Sequence, residues 1–293
     1  MKRLAAVAIF AVLAFLAHTQ PASRTTQLAP GVWYWQGNRD IQQPANCGWI
    51  EFKDYVFVID ANYPWGAQEI LPEIKRTTSK PIRFIFNTHY HGDHAYGSAL
   101  FVDAGAAVVC SADCAVESRT KGQAGFDKNP QLKPHRLEHP TVSFPDAMVF
   151  DDGTHRVELT KVGPGHSKGD AVAYLPKEKI LFAGDLCVNW RSGNNVADRD
   201  ADHPNWVRVL DRLAGWDIQT LIPGHGAPGT TATLRAQRAF LEDMWTQVNA
   251  GKRAGKSADD LARSIDLSRH GNFAADPVRN AGSIRAMYLK AAN

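Results

Sequence analysis

Four apolar, strand-like runs in this chain each end on a short glycine-bearing segment that carries histidine or aspartate. Residues 82–86 lead into Thr88-His89-Tyr90-His91-Gly92-Asp93-His94, 156–162 into Gly163-Pro164-Gly165-His166, 180–183 into Gly184-Asp185, and 218–222 into Pro223-Gly224-His225-Gly226. A fold that accepts this pattern ends four strands on one edge of a core and collects seven polar side chains there. Alternate side chains of an extended chain share a face, so His89 and His91 point to the same side and can hold one metal ion. Asp93 and His94 follow the turn at Gly92, where a helix begins, and can face a second ion. The glycines at 92, 163, 165, 184, 224 and 226 remove side chains where the backbone must turn sharply beside the ions. Three imidazoles with an open position suit catalytic zinc. Of the eleven histidines, the remaining six (His18, His135, His139, His155, His203, His270) lack such a setting and read as surface or hydrogen-bonded residues.

The rest of the chain has the same texture. Further β-rich runs lie at 32–36, 48–52, 55–59, 107–109, 141–150 and 171–175. Helical periodicity covers 68–78 (Ile70, Leu71 and Ile74 on one face), 95–103, 204–214 (Trp206, Leu210, Leu213) and 231–250, with Gly251 as the expected stop. Ser257 with Asp260 fits a capping box, and Asp276-Pro277 a cap followed by proline at the first helical position. The segment 117–139, rich in Lys, Gln, Pro and His, reads as a long surface loop. Two β-rich halves with interspersed helices predict a sheet-on-sheet core with helices outside, taken as one domain over 20–293 with its C-terminal helices from about residue 231.

Charge narrows the function. Lys plus Arg is 33 against 30 for Asp plus Glu, and Lys2 and Arg3 supply two of the three surplus cations. That balance carries no footprint for nucleic acid or an anionic membrane surface. Met1-Lys2-Arg3, an apolar run over 4–17 and polar 18–21 read as a signal peptide, assigned to 1–19. The run is shorter than the ~20 residues that cross a bilayer. Export to the periplasm or medium follows, with a mature chain beginning between about residues 17 and 24 and no membrane span left. Cys47, Cys110, Cys114 and Cys187 would then meet an oxidising compartment. Cys110 and Cys114 could pair where a strand end meets a helix start, but a C-x3-C without a second pair is a poor zinc site, so these read as structural thiols.

With its four histidine and aspartate segments, the chain resembles the metallo-β-lactamase superfamily of hydrolases over about 28–230. The resemblance implies an α/β (α+β) fold, an αββα sandwich with a metal site at one edge. It implies His89, His91 and His166 on a first ion and Asp93, His94 and His225 on a second. Asp185 stands where hydrolases similar to glyoxalase II carry a carboxylate bridging both ions. Asp60, closing the run 55–59, matches the family's first acidic motif and would orient a ligand histidine. True β-lactamases mostly lack an aspartate at the place of Asp185, and Cys187, two residues on, cannot replace it. The leader separates the chain from glyoxalase II itself, whose substrate is intracellular; Lys252, Arg253 and Lys256 read as a solvated linker, not as that enzyme's basic cluster.

Two Zn2+ ions, with iron or manganese as the other metals such a set accepts, lower the pKa of a shared water from 15.7 toward about 7. Asp93 is the catalytic candidate, placed to orient that nucleophile or move its proton. The reading is an exported dinuclear zinc hydrolase of an ester, thioester, lactone or amide bond in a small-molecule substrate, β-lactams included. A β-lactamase proper and a mononuclear-iron sulfur dioxygenase are the alternatives. Substrate choice is assigned to the loops 37–45 and 186–203, with Tyr96, Asn189 and Trp190 as pocket candidates.

Overall fold

Strands that are apolar on both faces must be covered on both faces, and the runs here meet that demand by alternation. In Val56–Ile59, Val56 and Val58 face outward toward a helix layer, while Phe57 and Ile59 face inward between two sheets. In Ala171–Leu175, Ala173 and Leu175 enter the same inter-sheet core and Val172 faces a second helix layer. The computed structural model describes residues 24–190 and 194–291; the expected signal peptide lies outside the described residues.

The first sheet has seven strands in sequential order, β1 (Thr25–Ala29), β2 (Val32–Trp35), β3 (Cys47–Glu51), β4 (Val56–Ile59), β5 (Ile82–Phe86), β6 (Ala107–Ser111) and β7 (Val142–Phe144). It is antiparallel from β1 to β4 and parallel from β4 to β7. Its helices are α1 (Pro64–Thr77), α2 (Gly92–Ala95), α3 (Ser98–Asp103), α4 (Ala112–Glu117) and α5 (Gln123–Lys128). The second sheet runs β13-β11-β10-β9-β8, built from β8 (Ala147–Asp151), β9 (Arg156–Lys161), β10 (Ala171–Leu175), β11 (Ile180–Phe182) and β13 (Thr220–Ile222). A two-stranded ribbon pairs β12 (Val188–Asn189) with β14 (His225–Gly226). Helices α6 (His203–Leu213), α7 (Thr231–Arg253), α8 (Ala258–Ser264) and α9 (Pro277–Lys290) complete the chain. Phe57, Phe86 and Phe144 of the first sheet meet Leu159, Phe182 and Ile222 of the second; Ile70 and Ile74 of α1 cover one outer face, and Trp206, Leu210, Phe240, Leu241 and Met244 cover the other. The architecture is an αββα sandwich.

Several expectations are corrected. The segment 117–139 is largely helical: α4 passes into a π-helical turn over Ser118–Gly122 and then α5. Phe126, Leu132 and the partly buried Leu137 anchor it in the cluster with Tyr96, too few apolar positions to show a period. The run 141–150 is two strands in different sheets, because Pro145 cannot donate to a ladder and the chain changes layer there. The helix expected at 95–103 breaks at Gly97, whose amide bonds the carbonyl of Asn62 at 2.8 Å. Helix α7 runs past Gly251 to Arg253, and the reversal falls at Gly255 with φ of +76°. Lys252 is not a solvated linker residue, since its ammonium donates to the carbonyls of Tyr288 and Ala291. The four cysteines are buried and unpaired, Cys110 and Cys114 included. Ser257 and Asp276 cap α8 and α9 as expected, accepting from the amides of Asp260 and Arg279. Among the described residues no helix is long and apolar enough to cross a membrane.

Candidate metal centre

All seven side chains singled out by the strand-end pattern meet at one edge. His89 lies beyond β5 and is fully buried; His91 caps the start of α2, which puts Asp93 and His94 in the next turn. His166 lies in the loop after β9, Asp185 in the 3-10 turn Gly184–Leu186 that follows β11, and His225 on β14. Their donor atoms fall into two groups, each with all members within 4.8 Å of one another: His89, His91, His166 and Asp185, and Asp93, His94 and His225. In the first, His91 Nδ1 is 2.9 Å from His166 Nε2. In the second, His94 Nε2 is 3.3 Å from His225 Nε2, which is 3.3 Å from Asp93 Oδ2. Asp185 faces both: Oδ1 is 3.2 Å from His94 and 3.0 Å from His225, and Oδ2 is 3.5 Å from His166.

Whether these residues suit a cation can be decided from their outer bonds. His94 Nδ1 lies 2.8 Å from the Asp60 carboxylate and His225 Nδ1 lies 2.8 Å from the Pro44 carbonyl. Both neighbours only accept, so each Nδ1 carries its proton and each Nε2 turns inward. Thr88 Oγ1 donates to Asp60 and is 3.1 Å from His89 Nδ1, which likewise turns His89 Nε2 inward. That atom is buried without a hydrogen-bond partner, while His166 turns its Nε2 inward toward His91 and Asp185. Inward nitrogens facing carboxylates at this spacing need positive charge between them, and the donor set fits two metal ions.

Electrostatics divides the histidines. Burial, then its histidine neighbours, holds His89 well below the usual imidazole range, and burial drives His166 down to about 4. Both are therefore neutral at pH 7, the state in which imidazole ligates metal. For His94 burial pulls downward, but Asp60, Asp185 and Asp93 more than offset it and the pKa is raised. His225 is raised in the same way, chiefly by Asp185. A site that draws protons this strongly also draws metal cations.

Asp60 ends β4 with φ of +58°; besides His94 it accepts from the Thr88 amide at 2.8 Å. Residues that sequence reasoning missed complete the surroundings. Asp198 Oδ2 lies 3.4 Å from His91 Nε2, and Asp200 accepts from Tyr90 and pairs with Lys121. A cavity of about 410 Å3 opens onto Asp93, Asp185 and His225 and is walled by Arg39, Asn195 and Arg279. Trp190 lines it as expected. Tyr96 does not: its hydroxyl donates to the Gly122 carbonyl and its ring packs on Phe126. Asn189 lines an adjoining cavity of about 710 Å3, its amide donating to Ala227. His203, buried, bonds the Val196 carbonyl through Nε2, and His155 and His270 pair with Glu178 and Asp243.

The model of the metallo-β-lactamase superfamily matches residues 41–225, a span that contains all seven clustered side chains. The chain belongs to the metallo-β-lactamase superfamily. Its curated relatives are metal-dependent hydrolases of different substrates. A linear primary-alkylsulfatase of Pseudomonas sp. is 23% identical over 263 residues, covering 75% of this chain. The chain spans half of that enzyme's length (50%). The metallo-β-lactamase IND-1 of Chryseobacterium indologenes is 24% identical over 62% of this chain and 71% of its own. A hydroxyacylglutathione hydrolase of Bartonella henselae is 26% identical over 60% of this chain and 59% of its own. Among solved structures, a metallo-β-lactamase from Pontibacter korlensis superposes with a TM-score of 0.64 at 24% identity, covering 75% of this chain and 99% of that one. The DIM-1 metallo-β-lactamase gives 0.60 at 21% identity, over 76% and 98%. Superfamily members of this kind share the sandwich.

Proposed function

We propose that this member of the superfamily is an exported dinuclear zinc hydrolase that cleaves an ester, thioester, lactone or amide bond of a small molecule. The observation that carries this reading is Asp185, whose two oxygens face the two donor groups at once. His89, His91 and His166 would hold one ion and Asp93, His94 and His225 the other, with Asp185 shared. Zinc held there would supply Lewis acidity for the scissile carbonyl and would lower the pKa of a water toward about 7. The chain's own groups do the rest. Asp93 lines the cavity with its carboxylate partly exposed, so it can orient the attacking water and carry its proton to the leaving group. Asp60 and the Pro44 carbonyl fix the tautomers of His94 and His225, and Asp198 stands behind His91 in the same role. The apolar leader supports export.

The experiment is Asp185→Asn, with zinc per chain measured after dialysis alongside turnover on substrates found by screening thioesters, lactones, esters, phosphodiesters and β-lactams. The expected result is loss of one zinc, with the ion held by His89, His91 and His166 retained, and turnover lowered by orders of magnitude. Two zinc ions with full activity in the variant would overturn the shared-carboxylate reading. One iron per wild-type chain, with oxygen uptake, would replace hydrolysis by the dioxygenase alternative.

A further inference from the structure

We propose that Arg39 and Arg279, gathered over the ring of Trp190 at the mouth of the metal cavity, bind a carboxylate carried by the substrate. This rests on the hydrolase reading and names its substrate class: acyl compounds with a free carboxylate set apart from the bond that breaks.

The three residues come from separate parts of the chain. Arg39 lies in the 3-10 turn Arg39–Ile41, fixed by the Asn38 side chain, which accepts from the Asp40 amide. Trp190 follows β12, and Arg279 is in the first turn of α9. The Arg39 guanidinium carbon sits 4.1 Å from the centroid of the Trp190 ring and that of Arg279 sits 5.2 Å from it. The ring in turn lies 5.0 Å from that of His225, so the cationic pair is one aromatic ring away from the candidate metal ligands. Both arginines line the cavity that contains Asp93 and Asp185.

Neither arginine is satisfied by the protein. Among the described residues Arg39 makes no ion pair within 4.0 Å. Arg279 donates through Nη1 to the Asn194 carbonyl at 2.9 Å; its Nε is buried without a hydrogen-bond partner, and the Asp276 carboxylate is 3.9 Å away. Trp190 Nε1 is likewise buried and unpartnered. Burial first, and then the Arg279 charge, pull the Arg39 pKa down despite Asp93, Asp276 and Asp40. Two guanidinium groups that repel each other over one ring, with donors left over, are stabilised by an anion between them. A planar carboxylate matches the arginine fork bidentately, and the indole face supports the stacked guanidinium. Arg39, Pro44 and Trp190 also border the adjoining cavity, so a substrate anchored here by its carboxylate has room on one side and the metal donors on the other.

The test uses zinc-loaded protein, Arg39→Gln and Arg279→Gln. Arg39 is on an exposed turn, so Arg39→Gln removes the charge without removing a structural bond, whereas Arg279→Gln also loses the bond to Asn194. Phenylacetate binding is followed by calorimetric titration at fixed ionic strength, and p-nitrophenyl hydrogen glutarate is compared with its neutral glutaramate analogue as substrates. The expected result is at least about tenfold weaker phenylacetate binding in each variant at unchanged zinc content. The kinetic loss should fall on KM for the carboxylate ester, so that preference for it over the neutral ester collapses. Equal phenylacetate affinity in wild type and Arg39→Gln would overturn the proposal, as would equal losses on both esters. Arginine-dependent binding of inorganic sulfate in preference to phenylacetate would overturn the carboxylate assignment. If wild type cleaves neither ester yet binds phenylacetate through the arginines, the anion site stands and the hydrolase reading falls; cleavage of both without arginine-dependent binding does the reverse.

Discussion

A methyl group on Gly224 would lie 2.1 Å from Asp185 Oδ1 and 2.7 Å from the backbone carbon of Gly184. The glycines around the site thus serve two different ends. Gly184 and Gly226 have φ of +51° and +87°, a region costly for other residues, whereas Gly224 is small because Asp185 needs the space. Gly224→Ala should therefore push the carboxylate away from His94 and His225, reduce zinc per chain toward one and lower turnover by orders of magnitude, with the far-ultraviolet circular dichroism unchanged. His135→Ala, edge-on to Trp65 away from the site, should match wild type in both assays; equal losses in the two variants would show that the loss is global. The seven clustered residues were legible because ligation needs particular side chains at particular spacings after strands. Arg39, Asn195 and Arg279 were not, since an anion contact asks only for a cation within reach and the fold decides which one arrives. Arg39, Asn195 and Asp198 lie in the two loops singled out for substrate choice but carry no motif, and Arg279 lies outside both.

Among the elements, α6 shows how a buried histidine outside the metal cluster couples the fold to pH. His203 is its first residue, with its ring stacked on Trp245 of α7 at 5.3 Å and Nε2 bonded to Val196. Burial brings its pKa down to about 4 from an ordinary value of 6.5. The unfolded chain therefore takes up the proton more readily than the folded one. The stabilisation from this group is complete above about pH 6.5 and is lost as pH falls toward 4. His203→Gln keeps a donor for Val196 and removes the titration. Between pH 7 and pH 5 wild type should lose on the order of 2 kcal/mol more than the variant in urea unfolding, and parallel losses would show that His203 does not titrate this way. At this scale the strands and amphipathic helices were readable from period alone. The turn from β7 into β8 was hidden because Val142, Phe144, Val149 and Phe150 look like one strand until Pro145 is given its weight. The helices of 112–128 were hidden because few apolar side chains hold them, Cys114, Ala115 and Phe126, with polar contacts, among them Glu117 accepting from the Gly169 amide at 2.9 Å.

For the molecule as a whole, the leader carries a prediction of its own. Protein recovered from a host that exports it should lie outside the cytoplasm and begin between about residues 17 and 24, which amino-terminal sequencing reads directly; an active, membrane-held form that still starts at Met1 would make the leader an anchor. The architecture also orders events in time. The loop that carries His225 is held by the N-terminal part of the chain: Tyr34 of β2 and Asn46, just before β3, bond the Gly226 carbonyl, and Asn46 also bonds that of Pro223. His94 and His225 are 131 positions apart in sequence, and the contacts that hold the His225 loop, such as Tyr34 to Gly226 across 192 positions, are longer still, so bringing the second donor group together requires closing long loops. If the second donor group forms only after the sheets have paired, an ion held there would slow unfolding far more than it would speed folding.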